Sequence, residues 1–314
     1  MVMKPVAVWI EKERLDDRIV KCLTVILRSR GCYWNRCLMC GYRKDTSKDV
    51  TLNDLIEQLK FALRKMNGAE VVKIFTSGSF LDSNEIPREF RSFVYNSLAG
   101  KVKKLIIESR PEFVNKETVE ELSSLDFETE VGIGLETADD FIREHCINKG
   151  FKFEDFKRAA RLLESYGVRV KAYLLLKPPF LSEGEAIRDV IRSIKVVKDL
   201  VDVVSINPVN VQSNTYVERL WLKRLYRPPW LWSAVEVLKN TDVETICDPV
   251  AYGKSRGPHN CGRCDREVAK AIREFSLAQN PSVFDGLSCS CIKLWEKIVE
   301  LEDHSRIPLA LISV

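Results

Sequence analysis

Residues 31–42 read Gly31-Cys32-Tyr33-Trp34-Asn35-Arg36-Cys37-Leu38-Met39-Cys40-Gly41-Tyr42, and this stretch decides the fold class. Its three cysteines are spaced C-x4-C-x2-C and follow an apolar, β-branched run at residues 23–27 that predicts a strand. Three thiolates on one loop can bind three irons of a cubane cluster and leave the fourth iron open, whereas cubanes that only transfer electrons are normally closed by a fourth cysteine. Zinc, which usually takes two pairs of ligands, and three unrelated buried thiols are the alternatives, and spacing alone does not separate zinc from a cluster.

The composition indicates a well-folded protein that uses cysteines for metal. The chain has 314 residues, 45% hydrophobic and 30% charged, which suits two domains or one barrel with an extension. Its ten cysteines favour metal binding over disulfides. Residues 1–10 do not form a secretory signal, and no uncharged run approaches the roughly 20 residues that span a bilayer. We expect a cytoplasmic protein that binds no membrane; a net charge of +4 neither requires nor excludes a nucleic-acid partner.

Short apolar strands alternate with amphipathic helices along the middle of the chain. Six strands are predicted, at residues 24–30, 71–76, 104–108, 129–135, 168–176 and 201–206. Repeated βα units predict a parallel sheet, and six units are too few for a closed eight-strand barrel. We expect an α/β fold with a partial (β/α)6 barrel at residues 23–213, an N-terminal arm at 1–22 and a cysteine-rich, α-helical region at 214–314. A doubly wound sheet fits the same periodicity.

Polar residues follow several of the predicted strands. Because the carboxyl ends of parallel strands share one edge of a sheet, we expect these residues to line one site. Besides the cysteine loop, they are Gly78, Ser79, Glu108, Arg110, Glu136, Asn207 and Asn210.

The cysteine loop and these strand ends together resemble the radical S-adenosylmethionine (SAM) enzymes. Within them, Ile-Glu-Ser-Arg-Pro-Glu at residues 107–112 resembles a strand end of the branch near the catalytic subunit of Elongator. The narrowest resemblance is to the archaeosine synthase radical-SAM subunits, and it extends from about residue 28 to about residue 295. Its matching segments are residues 31–42, 134–137, 146–150, 226–230 and 257–261. The usual radical-SAM loop is C-x3-C-x2-C, so the first gap is one residue longer here.

This resemblance implies a [4Fe-4S] cluster on Cys32, Cys37 and Cys40, whose open iron binds the amino and carboxylate groups of SAM. One electron from the cluster then splits the sulfonium and releases a 5′-deoxyadenosyl radical, which abstracts hydrogen from the substrate. In the archaeosine family, a partner subunit attaches lysine to a deazaguanine base in the tRNA D-loop. The radical subunit then cleaves a C–N bond of that adduct in a lyase-type reaction. The implied partners are tRNA, the lysine-transferring subunit and an electron donor.

The resemblance also implies which residues hold SAM. Carbonyls of the small residues 77–79 would accept hydrogen bonds from the ammonium, because glycine allows close approach. Arginine suits a carboxylate, the two glutamates suit ribose hydroxyls or the ammonium, and the asparagines suit the adenine pocket. Core packing, ordinary turns and a salt bridge among the charged members are the alternatives. The full set is Met39, Ser77, Gly78, Ser79, Glu108, Arg110, Glu136, Asn207 and Asn210.

Two pairs of cysteines, Cys261-x2-Cys264 and Cys289-x-Cys291, flank a helix predicted at residues 265–278. Such pairs suit tetrahedral zinc, with a second iron–sulfur cluster as the alternative. Two further residues, Cys247 and His259, are reserve ligands.

Several cations are predicted to contact the substrate. Basic residues beside aromatic ones can meet phosphates while the rings stack on unpaired bases. For the lysine that precedes Gly150, a solvated side chain is the alternative. The candidates are Lys149, Arg224, Arg227, Lys254 and Arg256.

We therefore predict a radical-SAM enzyme that modifies tRNA. Another Elongator-like tRNA modification is one alternative, weakened because no acetyltransferase-like segment is evident. A methylthio-transferase is weakened because no separate N-terminal cluster domain is evident. A metal-stabilised RNA-binding subunit without catalysis is the alternative from another class.

Overall fold

Eight strands form the framework of the computed structural model, which describes residues 4–305. They are β1 (Ala7–Leu15), β2 (Arg18–Ile26), β3 (Val71–Phe75), β4 (Lys104–Ser109), β5 (Glu128–Glu136), β6 (Arg169–Leu176), β7 (Val203–Pro208) and β8 (Thr245–Cys247). They lie in one sheet in chain order. β1 and β2 are antiparallel, whereas β2 to β5, and β7 with β8, pair in parallel. A doubly wound sheet would reverse its strand order at a switch point, so this sequential order excludes that alternative.

Nine α-helices connect or follow the strands of the described residues. They are α1 (Leu52–Leu63), α2 (Arg88–Leu98), α3 (Lys116–Ser123), α4 (Phe153–Ser165), α5 (Glu183–Val197), α6 (Tyr216–Leu222), α7 (Leu231–Lys239), α8 (Asp265–Ala278) and α9 (Ile292–Glu302). Thr51, Asn115 and Ser182 cap α1, α3 and α5 with reciprocal side-chain and backbone hydrogen bonds. Such caps satisfy amide groups that have no partner within the helix. A single π-helical turn, Ile142–Ile147, follows β5.

The first barrel strand differs from the prediction of residues 24–30, because β2 ends at Ile26. Just beyond it, the Arg28 amide donates to Gln58 Oε1 at 2.7 Å, and Gln58 Nε2 donates to the Arg28 carbonyl at 3.1 Å. A side chain of α1 therefore satisfies the backbone where a neighbouring strand otherwise would, and the strand stops.

β1 was not predicted, because its charged residues resemble a solvated arm. Glu11 and Glu13 instead both pair with Lys73 of β3, whose Nζ lies 3.0 Å from Glu11 Oε1. Ligand atoms of Glu11, Glu13 and Cys22 cluster within 4.8 Å of one another, but both carboxylates already bind this ammonium, and burial raises the pKa of the Cys22 thiol to about 12. We therefore regard the group as an ion-pair network.

The chain divides into two compact units. The first contains residues 4–35, 42–134 and 154–171, and the second contains residues 36–41, 135–153 and 172–305. The β1–β2 hairpin crosses the predicted boundary after residue 22, and β8 lies within the predicted C-terminal region. The domain boundaries at residues 22 and 213 stay a prediction.

Buried charges help to hold the first unit together. Arg91 of α2 is 1% exposed, and its Nε lies 2.8 Å from Glu121 of α3. Glu130 of β5 lies 2.6 Å from Lys104 Nζ and 2.5 Å from Lys171 Nζ. Burial alone would raise the pKa of Glu130, but the two lysines outweigh it and lower the pKa to about 2.

A buried glutamate organises part of the second unit. Glu183, at the start of α5, is fully buried and accepts hydrogen bonds from Lys177 Nζ and the Trp230 amide, both at 2.7 Å. It also accepts a hydrogen bond from Ser233 Oγ of α7. Each carboxylate oxygen therefore has a donor, which offsets the cost of burying the charge.

Candidate active site

The cysteine loop follows a backbone path that few residues can adopt. Gly31 has a φ of +87°, and a Cβ there would lie 2.5 Å from Thr46 Cγ2. A side chain at this position would therefore clash as well as strain the backbone. Asn35 also takes a left-handed φ, 45°, which asparagine tolerates better than most residues. The loop carries three half-buried thiols that form no disulfide in the described chain, those of Cys32, Cys37 and Cys40.

Gly78 lies directly against the backbone of the first cysteine. A Cβ on Gly78 would be 2.7 Å from Cys32 Cα and 2.8 Å from its nitrogen, so only glycine fits without a shift. The neighbouring Ser79 is buried, and its Oγ accepts a hydrogen bond from the Arg110 amide at 3.1 Å. The structure thus brings the first cysteine, the small residues 77–79 and the end of β4 together.

Arg110 has a partner that was not predicted from the sequence. Its Nε lies 2.6 Å from Glu112 Oε1, and its guanidinium is 5.4 Å and 5.6 Å from the ring centroids of Tyr33 and Trp34 in the cysteine loop. Burial would lower the pKa of Arg110, but hydrogen bonding and charge from Glu112 raise it, so the cation is held firmly. The Glu108 side chain is half-buried at the end of β4.

The part of the loop that carries Cys37 and Cys40 lies in the second unit and is bound to its backbone. The Leu38 amide donates to the Ile147 carbonyl at 2.9 Å, and the Leu38 carbonyl accepts from the Tyr216 amide at 3.0 Å. The side chain of Asn148, whose φ is 58°, donates to the Arg36 carbonyl at 3.1 Å. Residues 146–150 therefore contact the cysteine loop, and Met39 within that loop is half-buried.

Glu136 and Lys149 form a buried ion pair. Lys149 Nζ lies 2.6 Å from Glu136 Oε1, and their side chains are only 13% and 8% exposed, respectively. The alternative of a solvated lysine is therefore wrong. Glu136 ends β5 with a φ of 69°, a strained conformation that proteins retain mainly at functional positions. Near the end of β7, Asn207 and Asn210 are both half-buried.

The four C-terminal cysteines converge. Their sulfurs all lie within 4.8 Å of one another, with Cys261 and Cys289 at 3.7 Å and Cys264 and Cys291 also at 3.7 Å. Among the described residues, neither reserve ligand belongs to this group. Cys247 is buried in β8, where burial raises its pKa, and His259 Nδ1 lies 2.8 Å from the Gly257 carbonyl.

Side-chain donors approach two of these sulfurs. Trp232 Nε1 lies 3.3 Å from Cys291 Sγ, and Asn260 Nδ2 lies 3.4 Å from Cys264 Sγ. The backbone amide of Arg263 lowers the pKa of Cys261 to about 6. Burial raises the pKa of Cys264 and Cys291 despite these donors, so of these three thiols only that of Cys261 is shifted, in the absence of a metal ion, toward the thiolate, the form that binds metal.

The predicted substrate cations fall into two groups. Arg224 and Lys254 are exposed. Arg256 instead pairs with Glu218 and lies 4.9 Å from the Trp221 ring centroid. Arg227 donates to the carbonyls of Pro228, His259 and Asn260. Arg224 and Arg227 both line a cavity of about 780 Å³ in the second unit, together with Trp221 and Tyr226.

Comparison with known proteins gives a consistent result. The model of the Radical SAM superfamily matches residues 26–192. The archaeosine synthase subunit beta of Methanosarcina acetivorans is 44% identical over 96% of this chain and 92% of its own length. That of Thermococcus kodakarensis is 42% identical over 93% of this chain and 96% of its own.

The fold has a solved counterpart in an archaeal Elp3. The Elp3 of Methanocaldococcus infernus, with an N-terminal deletion, has a TM-score of 0.54 and 18% identity, covering 77% of this chain and 61% of that one. Together with the matching superfamily model, this likeness confirms the partial radical-SAM barrel. Within residues 4–305, no helix combines the length and the apolar character needed to cross a membrane.

Proposed function

Because this chain belongs to the radical SAM superfamily and, within it, to the archaeosine synthase subunit beta family, we propose that it completes archaeosine in tRNA. The step is C–N cleavage of a lysine adduct of a deazaguanine base in the D-loop. The observation that carries the proposal is the 44% identity over 96% of the chain.

Cys32, Cys37 and Cys40 would hold the [4Fe-4S] cluster that the family implies. The residues present suit this cluster. The loop provides three half-buried thiols, and hydrogen bonds hold its backbone in place. It provides no fourth cysteine, which would leave one iron of the cluster open. When bound, the cluster supplies the electron that starts radical chemistry on SAM. The proposal requires two protein partners, an electron donor and the lysine-transferring subunit. It also places this protein in the cytoplasm.

Residues at the strand ends would hold SAM beside the cluster. Backbone carbonyls of residues 77–79 suit the SAM ammonium, and the close contact of Gly78 with Cys32 supports that position. Arg110 has five N–H donors, so Nε can bind Glu112 while other donors meet the SAM carboxylate. The ribose hydroxyls are assigned to Glu108 and Glu136; Glu136 Oε1 binds Lys149, so its Oε2 is the oxygen assigned to the ribose. The adenine pocket is assigned to Met39, Asn207 and Asn210.

Lys149 would contact the substrate, held in place by its ion pair with Glu136. The carboxylate of Glu136 holds the Lys149 ammonium at 2.6 Å, so a well-positioned donor is available to an acceptor on the substrate. Strain at Glu136 supports a functional position.

The C-terminal cysteines Cys261, Cys264, Cys289 and Cys291 would bind one structural zinc ion. With a Zn–S bond of about 2.3 Å, the edge of a regular tetrahedron is about 3.8 Å. The two measured sulfur–sulfur distances, both 3.7 Å, agree with that edge. In a four-iron cubane each thiolate binds a different iron, so the sulfurs lie farther apart than the ligands of a single ion. This spacing favours zinc over a second cluster.

Exposed cations would contact tRNA phosphates. Arg224 and Lys254 suit this role best, because Arg256 and Arg227 are engaged within the chain. A stacked base must be extruded to reach a buried radical site, at a cost of a few kcal/mol. Phosphate contacts around the site help to offset that cost.

The proposal is tested by analysing tRNA nucleosides from a strain that lacks this gene. We expect archaeosine to be absent and the lysine adduct to accumulate, with restoration by the wild-type gene and none by a Cys37→Ala gene. Unchanged archaeosine would reject the proposal. The non-catalytic alternative predicts that the Cys37→Ala gene restores archaeosine as well as the wild type does.

A further inference from the structure

Glu85 is a buried carboxylate that joins the loops following two adjacent strands. Glu85 is 2% exposed and belongs to the loop after β3, which also carries residues 77–79. Its carboxyl group reaches the loop after β2, which carries Cys32. It was not singled out from the sequence, because a glutamate ahead of a helix resembles an exposed one.

The carboxylate binds each loop directly. Ser29 Oγ, itself fully buried, donates to Glu85 Oε1 at 2.5 Å, and the Ser79 amide donates to Glu85 Oε2 at 2.5 Å. The Ser29 hydroxyl also accepts the Gly31 amide at 3.2 Å. A continuous chain of hydrogen bonds therefore runs from the residue before Cys32 to the residue after Gly78.

Close packing at Gly78 reinforces this chain. A Cβ on Gly78 would lie 2.1 Å from Glu85 Oε2 and 2.7 Å from Cys32 Cα. The carboxylate, the glycine and the backbone of the first cysteine thus meet with no spare room. Among the described residues, no lysine, arginine or histidine forms a salt bridge with Glu85; its hydrogen-bond donors are the hydroxyls of Ser29 and Thr76 and the Ser79 amide.

We propose that Glu85 is a positioning residue that sets the cluster-binding loop at a fixed distance from the loop that receives the SAM ammonium. The inference rests on the proposed assignment of Cys32 and residues 77–79. Its physical basis is that a cofactor and its ligand react only when held in the right geometry, and a displacement of about 1 Å costs about 100-fold in rate. A hydrogen-bonded carboxylate holds two loops in one register more rigidly than apolar contacts alone.

Glu85→Gln is the sharpest change, because it preserves size. Glutamine has one acceptor oxygen and one donor nitrogen, so it cannot accept from both Ser29 and the Ser79 amide. If the glutamine oxygen accepts the hydrogen bond from the Ser79 amide, the glutamine nitrogen must donate to the Ser29 hydroxyl. The hydrogen bond between residues 29 and 85 is then reversed in direction. Ser29→Ala is the second variant, since it removes the link from the other side and leaves the glutamate in place.

Glu130→Gln is the matched control. Glu130 of β5 is a buried carboxylate of the same unit, and its closest ion pairs are with Lys104 and Lys171, outside the two loops. The measurements are thermal unfolding of the metal-free proteins, iron content after reconstitution, SAM affinity, and the electron paramagnetic resonance spectrum of the reduced cluster with and without SAM.

We expect Glu85→Gln and Ser29→Ala to retain iron, to bind SAM about tenfold more weakly, and to show a smaller spectral change on adding SAM. Binding of tRNA should stay at the wild-type level. Glu130→Gln should lower thermal stability and leave SAM affinity unchanged. The inference is overturned if both loop variants bind SAM like the wild type with the full spectral change, or if the control loses SAM affinity equally. If the wild type itself binds no cluster or SAM, the proposed function fails first.

Discussion

The C-terminal cysteines allow a prediction that can be worked directly from distances. Cys264→Ser removes one of four sulfurs whose measured separations, 3.7 Å in two pairs, match the tetrahedral edge of about 3.8 Å for zinc. Cys264 is 5% exposed, so the vacated position is poorly reached by water as a substitute ligand. The variant should lose nearly all of its zinc.

The expected loss of stability is large. Structural zinc binds zinc-finger peptides with an apparent free energy of about 10–16 kcal/mol, and where the ion organises a region this energy is folding energy. If only about 3–4 kcal/mol of it appears in the global unfolding of this longer chain, Tm falls by roughly 10 °C.

The assay is elemental analysis of protein purified without added metal, followed by thermal unfolding with and without a chelator. Cys247→Ser is the matched control, because Cys247 is 2% exposed in the same unit but lies outside the sulfur group. We expect about one zinc in the wild type and in the control. The chelator should lower Tm for both and leave Cys264→Ser unchanged. Iron in place of zinc, or an equal metal loss in the control, would refute the reasoning.

Three further predictions follow from the charges of the two units. Lys149→Met should leave the buried Glu136 carboxylate without its cation and lower the free energy of unfolding by about 3–5 kcal/mol, measured with denaturant. Adding Glu136→Gln should recover stability but not turnover. If Lys149→Met alone left stability unchanged, the buried ion pair would be contradicted. The pKa of Glu130 is about 2 in the folded protein, below its unfolded value of about 4.3. Glu130 therefore contributes roughly 3 kcal/mol to the free energy of unfolding above pH 4–5, and this contribution is lost as the pH falls toward 2. Glu130→Gln should flatten that part of the plot of stability against pH, and an unchanged plot would count against the lowered pKa of Glu130. Replacing Arg224 and Lys254 with alanine should weaken tRNA binding and reduce the slope of log affinity against log salt concentration by about two, with cluster content unchanged. If tRNA binding by the wild type did not depend on salt, the proposed contacts with tRNA phosphates would be contradicted.

Local chemistry made much of the fold predictable from the sequence. Helix α8 spans the residues predicted for it, 265–278, and Thr51, Asn115 and Ser182 act as caps because each can bond an otherwise unpaired amide. β1 was missed for a tertiary reason. Its inward glutamates are acceptable only because a lysine on β3 pairs with both of them, and the sequence of β1 alone does not indicate that partner.

The residues of the candidate site differ in the same way in how far the sequence predicts their roles. The cysteine pairs and the small residues 77–79 have spacings that point to chemistry on their own. Glu85 does not, because its role arises only when it meets Ser29, which is distant in the sequence. Glu112 is only two residues from Arg110, but the spacing alone does not show that the two side chains pair. Lys149 resembles Glu85, since nothing next to it in the chain indicates that it will pair with Glu136. Contacts between side chains that are distant in sequence are therefore the main information that the sequence lacks.

The most direct test of the central claim uses reconstituted protein, SAM, a low-potential reductant and tRNA that carries the lysine adduct. Under anaerobic conditions we expect archaeosine to appear in the digested tRNA, with SAM cleaved and no product from Cys37→Ala protein. The free modified base should be processed far more slowly than the tRNA. If SAM is cleaved while the adduct stays intact, or if the Cys37→Ala protein forms archaeosine at the wild-type rate, the account is contradicted.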